Sequence, residues 1–176
     1  MVNEALTIPY CQTCGRRARC GCPSSVDHHI DTLARTIIGE ARGEGYLDML
    51  AVACVVRERA LRPGWWGRDV AGVCKAPRQF TCWDDHNLRA VESAHTLPQW
   101  SLALAAAKTA IRHMRDRDVY QLFGIGNVGD IEIPTHYHDR SIGTPSAWGT
   151  ELTEIRVPWR SAFRFYVVRQ GRPPRR

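Results

Sequence analysis

A carboxylic acid donates a proton near neutral pH only if its surroundings disfavour the charged form, and the sequence around Glu40 describes such surroundings. Ile30, Leu33, Ala34, Ile37 and Ile38 recur at helical spacing, so one face of this segment is core. Glu40 ends that pattern, and Gly43 and Gly45 stop the helix behind it. The negative end of a helix and an apolar core both raise a carboxyl pKa, whereas Arg42 acts in the opposite sense. An ordinary polar helix end, with Glu40 and Glu44 solvated, would use the same residues. What the rest of the chain brings to Glu40 decides between the two.

Cysteine and histidine offer other chemistries. The seven cysteines fall into two groups, and their odd number leaves at least one thiol outside any cysteine pairing. Cys11, Cys14, Cys20 and Cys22 are spaced C-x2-C-x5-C-x-C in a segment with few large apolar residues. Four thiolates can close a tetrahedral structural site, with zinc the favoured ion, and hold together a piece of chain too small for its own core. Two disulfides, an iron–sulfur cluster or a reduced tail fit the same residues. Four cysteine ligands leave no open coordination position, so no catalytic cofactor is implied. Cys54 reads as a buried small hydrophobe. Cys74 and Cys82 bracket a loop containing Pro77, and a disulfide between them would pin Phe80 and Trp83 beside the glycine-ended helix. His136 and His138 would share one face of a strand, and with Asp139, or with Asp27, His28 and His29, they form a possible metal-ligand set.

The elements that would position these groups are mostly helical. The first helix is expected from about Asp27 to Ala41, with Ser24, Ser25 and Asp27 as caps and with His28 and His29 at the surface. A second, nearly apolar along its first half, follows from Leu47 to about Ala60, with Arg57, Glu58 and Arg59 facing outward. Pro63 to Gly67 form a turn carrying Trp65 and Trp66, and Val70–Cys74 a short helix or turn. A third long helix spans Leu97 to His113, its alanines suited to close packing. Val119–Phe123 fits a strand, followed by a glycine-rich loop through Gly124, Gly126 and Gly129. Thr153–Val157 and Ala162–Val168 alternate like a terminal strand pair, with Pro158 at the turn.

The chain has 176 residues, room for one domain with a substantial core. No apolar run is long enough to span a bilayer, and no secretory leader is visible. The division expected is a Cys-rich appendage over residues 1–25, a main domain over 26–170 and a disordered basic tail over 171–176. The net charge of +6 and pI near 9.2 suit an anionic partner. No helix-turn-helix or RNA-binding signature is present, so nucleic acid is not the expected partner. An acidic lipid and an acidic wall polymer both fit the charge.

Leu33-Ala34-Arg35 through Glu40-Ala41-Arg42-Gly43-Glu44, then Ala51-Val52-Ala53 and Val55-Val56-Arg57-Glu58-Arg59, resembles the spore-cortex-lytic cell-wall hydrolases, in the style of their phage and prophage members. Val73-Cys74, Gln79-Phe80-Thr81-Cys82-Trp83 and Thr135-His136-Tyr137-His138 follow in the order that branch shows. The likeness covers roughly residues 27–168. It departs from the pattern at the long stretch between Asp118 and Pro134. It departs again at Trp159-Arg160-Ser161-Ala162, which replaces a small residue followed by histidine.

The resemblance implies an α+β fold, a mainly helical lysozyme-like domain with a small antiparallel sheet. It implies an enzyme that cuts peptidoglycan between N-acetylmuramic acid and N-acetylglucosamine; a monomer without membrane insertion is expected. Its acid/base glutamate falls on Glu40, and Tyr137 is the expected hydrogen-bond partner of that glutamate or of the glycan. Glu44, Gln79, Phe80, Trp83, His136 and His138 are the expected groove residues, and Trp65, Trp66 and Trp148 suit either a groove or the core. With no obvious second carboxylate beyond Glu44, Asp84, Asp85 or Asp139, a lytic transglycosylase is expected ahead of a hydrolytic muramidase. Such an enzyme acts on the wall after release or delivery, as a phage endolysin, a tail-borne lysin or a bacterial wall-remodelling enzyme would, the missing leader favouring the first two. A metallohydrolase built on His136 and His138 and an inactive wall-binding module are the rival readings.

Overall fold

The apolar spacing that organises the sequence also organises the fold. A computed structural model describes residues 25–62, 66–125, 133–145, 148 and 152–168. Helix α1 (Ser25–Ala41) buries Ile30, Leu33, Ala34, Ile37 and Ile38. Helix α2 (Tyr46–Leu61) is buried almost all round: every residue from Asp48 to Ala60 is inaccessible or nearly so. A helix hydrophobic on every side is a core helix, and α1, α3 (Val70–Lys75) and α5 (Trp100–Lys108) pack around it. Ala103, Ala106, Ala107 and Ala110 are fully buried, so α5 approaches its neighbours closely, and one π turn (Thr109–His113) extends it. Short 3-10 turns at Thr81–Trp83 and Ala94–Thr96 flank α4 (Leu88–Glu92).

The segment expected as a strand near Val119 is helical, α6 (Asp116–Leu122). Asp118 reaches back to accept the Arg115 backbone N–H at 2.8 Å, which starts the helix, and Val119 and Phe123 then bury one face at i, i+4. A short apolar run fits either period until its cap is known.

Three antiparallel strands, β1 (His136–Asp139), β2 (Leu152–Ile155) and β3 (Phe163–Val168), form a sheet in the order β1-β3-β2. Tyr137 pairs with Phe165, and Ile155 lies on the other side of Phe165. The architecture is thus mainly helical with a small antiparallel sheet, an α+β arrangement.

Asp48, in the first turn of α2, ties the sheet to the helices. Its Oδ1 accepts from the Trp159 indole N–H at 2.8 Å and from the Ser161 hydroxyl, and its Oδ2 from the Ala162 N–H at 3.1 Å. The residues that depart from the expected pattern near the last strand therefore serve as its ligands.

Two expectations about polar residues are corrected. Arg57, Glu58 and Arg59 do not face outward; all three are buried. Arg57 pairs with Glu58 at 2.5 Å and with Asp116 at 2.9 Å, which makes its burial tolerable. His29 is not at the surface either; its Nδ1 accepts the Ala71 N–H at 3.2 Å, joining α1 to α3. His28 is exposed as expected. The Cys-rich segment with Cys11, Cys14, Cys20 and Cys22, Trp65, and the tail 171–176 lie outside the described residues.

Candidate active site

Glu40 occupies the last turn of α1 and is half-buried. The Tyr137 hydroxyl donates to its Oε2 at 3.1 Å from strand β1. The Cys82 thiol, on the 3-10 turn, is a second hydrogen-bond partner, and Arg59 of α2 acts on Glu40 through its charge. Burial raises the Glu40 pKa above the ordinary carboxylate value; Tyr137, Cys82 and Arg59 pull it back down. Burial also pushes Tyr137 well above the usual phenol range, so it stays a hydrogen-bond donor. A carboxyl group with a raised proton affinity is thus held by donors from two other elements and faced by a cation from a third.

Strand alternation separates Tyr137 from its neighbours. Tyr137 packs against Phe163 and Phe165, with ring centroids 5.3 and 6.0 Å away. The His136 ring sits edge-on between Trp66 and Trp148, 5.1 Å from each. Burial, reinforced by Arg59, holds its pKa down to about 4, so the ring is neutral at physiological pH. His138 stacks on Tyr166. Its Nδ1 lies 2.7 Å from the Asp139 carbonyl, which can only accept, so Nδ1 carries the proton. In the neutral ring Nε2 then accepts from the Tyr166 hydroxyl at 2.9 Å. The two histidines form an aromatic cluster with Trp66, Trp148 and Tyr166, and their ring contacts do not involve Glu40. Among the described residues no three His, Cys, Asp or Glu side chains gather as a metal site.

The 79–83 segment does meet Glu40. Phe80 is buried and Gln79 half-buried. Trp83 is half-buried, donates its indole N–H to Thr36 Oγ1 at 3.0 Å, and carries the Lys75 ammonium 5.0 Å from its ring centroid. Glu44 lies just past α1, its N–H donating to the Ala41 carbonyl at 3.0 Å, and is not among the groups acting on Glu40.

The expected Cys74–Cys82 disulfide is absent: both are free, buried thiols. Each sulfur has its own partner on α1. Cys74 hydrogen-bonds to Thr36 and Cys82 to Glu40. Burial pushes the Cys74 pKa up to about 12 and raises that of Cys82 as well, so neither is a ready thiolate.

Arg59 and Cys82 are the site residues that sequence reasoning missed in these roles. The signal for Arg59 was available: a helix apolar on all sides leaves no outward face for three successive charges.

The family model described as Cell Wall Hydrolase matches residues 43–166, a span that begins just after Glu40 and includes Tyr137. No curated protein and no solved structure matches the chain.

Proposed function

The chain belongs to the cell-wall hydrolase family and acts on peptidoglycan, and on that premise we propose that it cleaves the glycan strand with Glu40 as its general acid and base. The observation that carries this reading is the Glu40 carboxyl itself, its proton affinity raised by burial and its Oε2 held by the Tyr137 hydroxyl at 3.1 Å. Protonated Glu40 donates to the glycosidic oxygen between N-acetylmuramic acid and N-acetylglucosamine, and the bond from C1 to that oxygen breaks. The resulting carboxylate then takes the proton of the attacking hydroxyl.

The attacking group in this proposal is the 6-hydroxyl of the muramic acid unit, whose oxygen bonds to C1 and leaves a 1,6-anhydro end. A single carboxyl can serve both steps. Among the described residues, the groups acting on Glu40 are Tyr137, Cys82 and Arg59, none of them a carboxylate. A retaining hydrolase would place a second carboxyl about 5–5.5 Å away, close enough to couple with the first. Water as the attacking group, giving a hydrolytic muramidase, is the alternative for the same site. The net charge of +6 suits adsorption to an anionic wall.

Mass spectrometry of soluble products from purified sacculi tests bond and mechanism together. Anhydro-muramyl ends are expected from the parent protein; reducing muramyl ends would assign the muramidase, and peptide-bond products would refute glycan cleavage. Glu40→Gln should lower release by about 10³-fold, the scale of a lost general acid, while binding to sacculi survives. Undiminished release would remove Glu40 from the mechanism.

A further inference from the structure

Among the described residues, Arg59 is a buried guanidinium outside any ion pair. It is 6 % exposed, and among the described residues no carboxylate lies within ion-pairing distance. Buried charges are ordinarily paired. Arg57, two positions earlier on the same helix, follows that rule with Glu58 and Asp116. Arg59 is instead held by dipoles and ring faces. Its Nε donates to the Thr135 carbonyl at 2.8 Å and its Nη1 to Gln79 Oε1 at 3.1 Å. The guanidinium carbon lies 4.6 Å from the Trp66 ring centroid and 5.4 Å from that of Phe80. None of these neighbours cancels its charge, and its field reaches Tyr137, Cys74 and Glu40.

The same contact dictates how Gln79 is turned. A guanidinium has donors only, so the amide oxygen faces Arg59 and the NH₂ group faces away. Among the described residues that Nε2 meets no acceptor. Arg78, immediately before, takes a left-handed backbone conformation with φ of 63°, unusual for a residue other than glycine. A left-handed residue, an amide turned by a guanidinium, and a buried cation whose charge acts on Glu40 thus adjoin one another.

We propose that Arg59 is the positioning residue of this site: its uncancelled charge steadies the Glu40 carboxylate once the proton has left, and its guanidinium fixes the Gln79 amide with N–H directed at an acceptor oxygen of the glycan, such as an N-acetyl carbonyl. The inference rests on Glu40 as the proton donor. The groups facing Glu40 are Tyr137 from β1, Cys82 from the 3-10 turn and Arg59 from α2; those facing Arg59 also include Cys74 from α3 and His136 from β1. Of these, only Arg59 is a permanent charge at neutral pH.

The test is the pH dependence of kcat/KM on soluble glycan oligosaccharides. Its alkaline limb reports loss of the Glu40 proton. Gln79→Glu places a carboxylate against Arg59, satisfies both, and should move that limb upward by about half a pH unit or more, with the melting temperature kept or raised. Arg59→Met should move it the same way; if that variant does not fold, Gln79→Glu still carries the charge test. Gln79→Ala should raise KM several-fold and leave the limb in place. Arg59→Lys keeps the charge but loses the fork, so it should retain the limb while kcat/KM falls. Limbs that superimpose on the parent in both Gln79→Glu and Arg59→Met would overturn the proposal. Glu40→Gln separates the two failures: activity in that variant refutes the proton donor itself, whereas an inactive variant with unmoved limbs refutes Arg59 alone.

Discussion

Gly39 and Cys82 interlock. A Cβ built on Gly39 would lie 2.3 Å from the Cβ of Cys82 and 2.7 Å from its sulfur, closer than any real side chain tolerates. The missing side chain lets the turn carrying Cys82 rest on the last stretch of α1, and that contact brings the thiol to the neighbouring Glu40 carboxyl. A glycine inside a helix costs about 1 kcal/mol relative to alanine; here it secures the approach of a second element to the proton donor.

Gly39→Ala should therefore lower stability, not raise it, by roughly 1–3 kcal/mol as an overpacked contact. Activity should fall with it, because the Cys82 turn is pushed from Glu40. Cys82→Ala cannot relieve the clash, since it retains the offending Cβ, whereas Cys82→Gly should restore the melting temperature in the double variant. A stabilised Gly39→Ala protein, read by thermal denaturation, would contradict the interlock.

Glu40 should cost the fold stability at neutral pH. Its folded pKa lies above the ordinary value of 4.5, so the folded state holds this proton more tightly than the unfolded chain. The stabilisation is complete below pH 4.5 and is lost as pH rises through the folded pKa. Glu40→Gln, which cannot ionise, should melt higher than the parent at pH 7, with the advantage disappearing below about pH 4.5. Equal melting temperatures at both pH values would mean that Glu40 is solvated in the folded protein.

Much of this was legible in the residues, and the misses share a cause. The i, i+3, i+4 pattern of α1 placed Glu40 at a helix end because periodicity needs only local sequence. The terminal strand pair was readable for the same reason. Arg59 and His29 were misplaced because burial of a polar side chain depends on partners far along the chain, Thr135 and Gln79 for one and Ala71 for the other. The Cys74–Cys82 disulfide failed in the same way: loop length permitted it, but Thr36 and Glu40 on α1 supply each sulfur with a different partner. The α6 segment failed on a single cap, Asp118.

His136 sets an acid limit on the fold. Its folded pKa of about 4 lies below the usual 6.5, so on acidification the unfolded chain takes up a proton that the folded ring refuses. Stability should fall as pH drops from 6.5 toward 4, with a slope of at most about 1.4 kcal/mol per pH unit, less any solvent screening. Denaturant titrations of the parent and of His136→Phe across that window check this. The variant should lose the His136 share of the slope while keeping the edge contacts with Trp66 and Trp148. An unchanged slope would assign the acid sensitivity to other groups.

Asp48 offers the sharpest test of how the sheet is held against the helices. Its two oxygens divide the work: Oδ1 accepts from Trp159 and Ser161, Oδ2 from the Ala162 backbone. The N-terminal end of α2 also favours a negative charge there. Asp48→Ala leaves three donors without their acceptor and should cost on the order of 3 kcal/mol. Asp48→Asn is informative because its amide cannot serve both sides. With its oxygen turned to Trp159 and Ser161, its NH₂ opposes the Ala162 N–H, so an intermediate loss is expected. Ala162 leads into β3, and β3 pairs with the strand that carries Tyr137. Both variants should therefore lose activity in the order of their stability losses, as the Tyr137–Glu40 bond loosens. Denaturant unfolding and sacculus digestion, measured on the same preparations, test that order. Full activity in a strongly destabilised Asp48→Ala protein would show that the sheet keeps Tyr137 in place without this anchor.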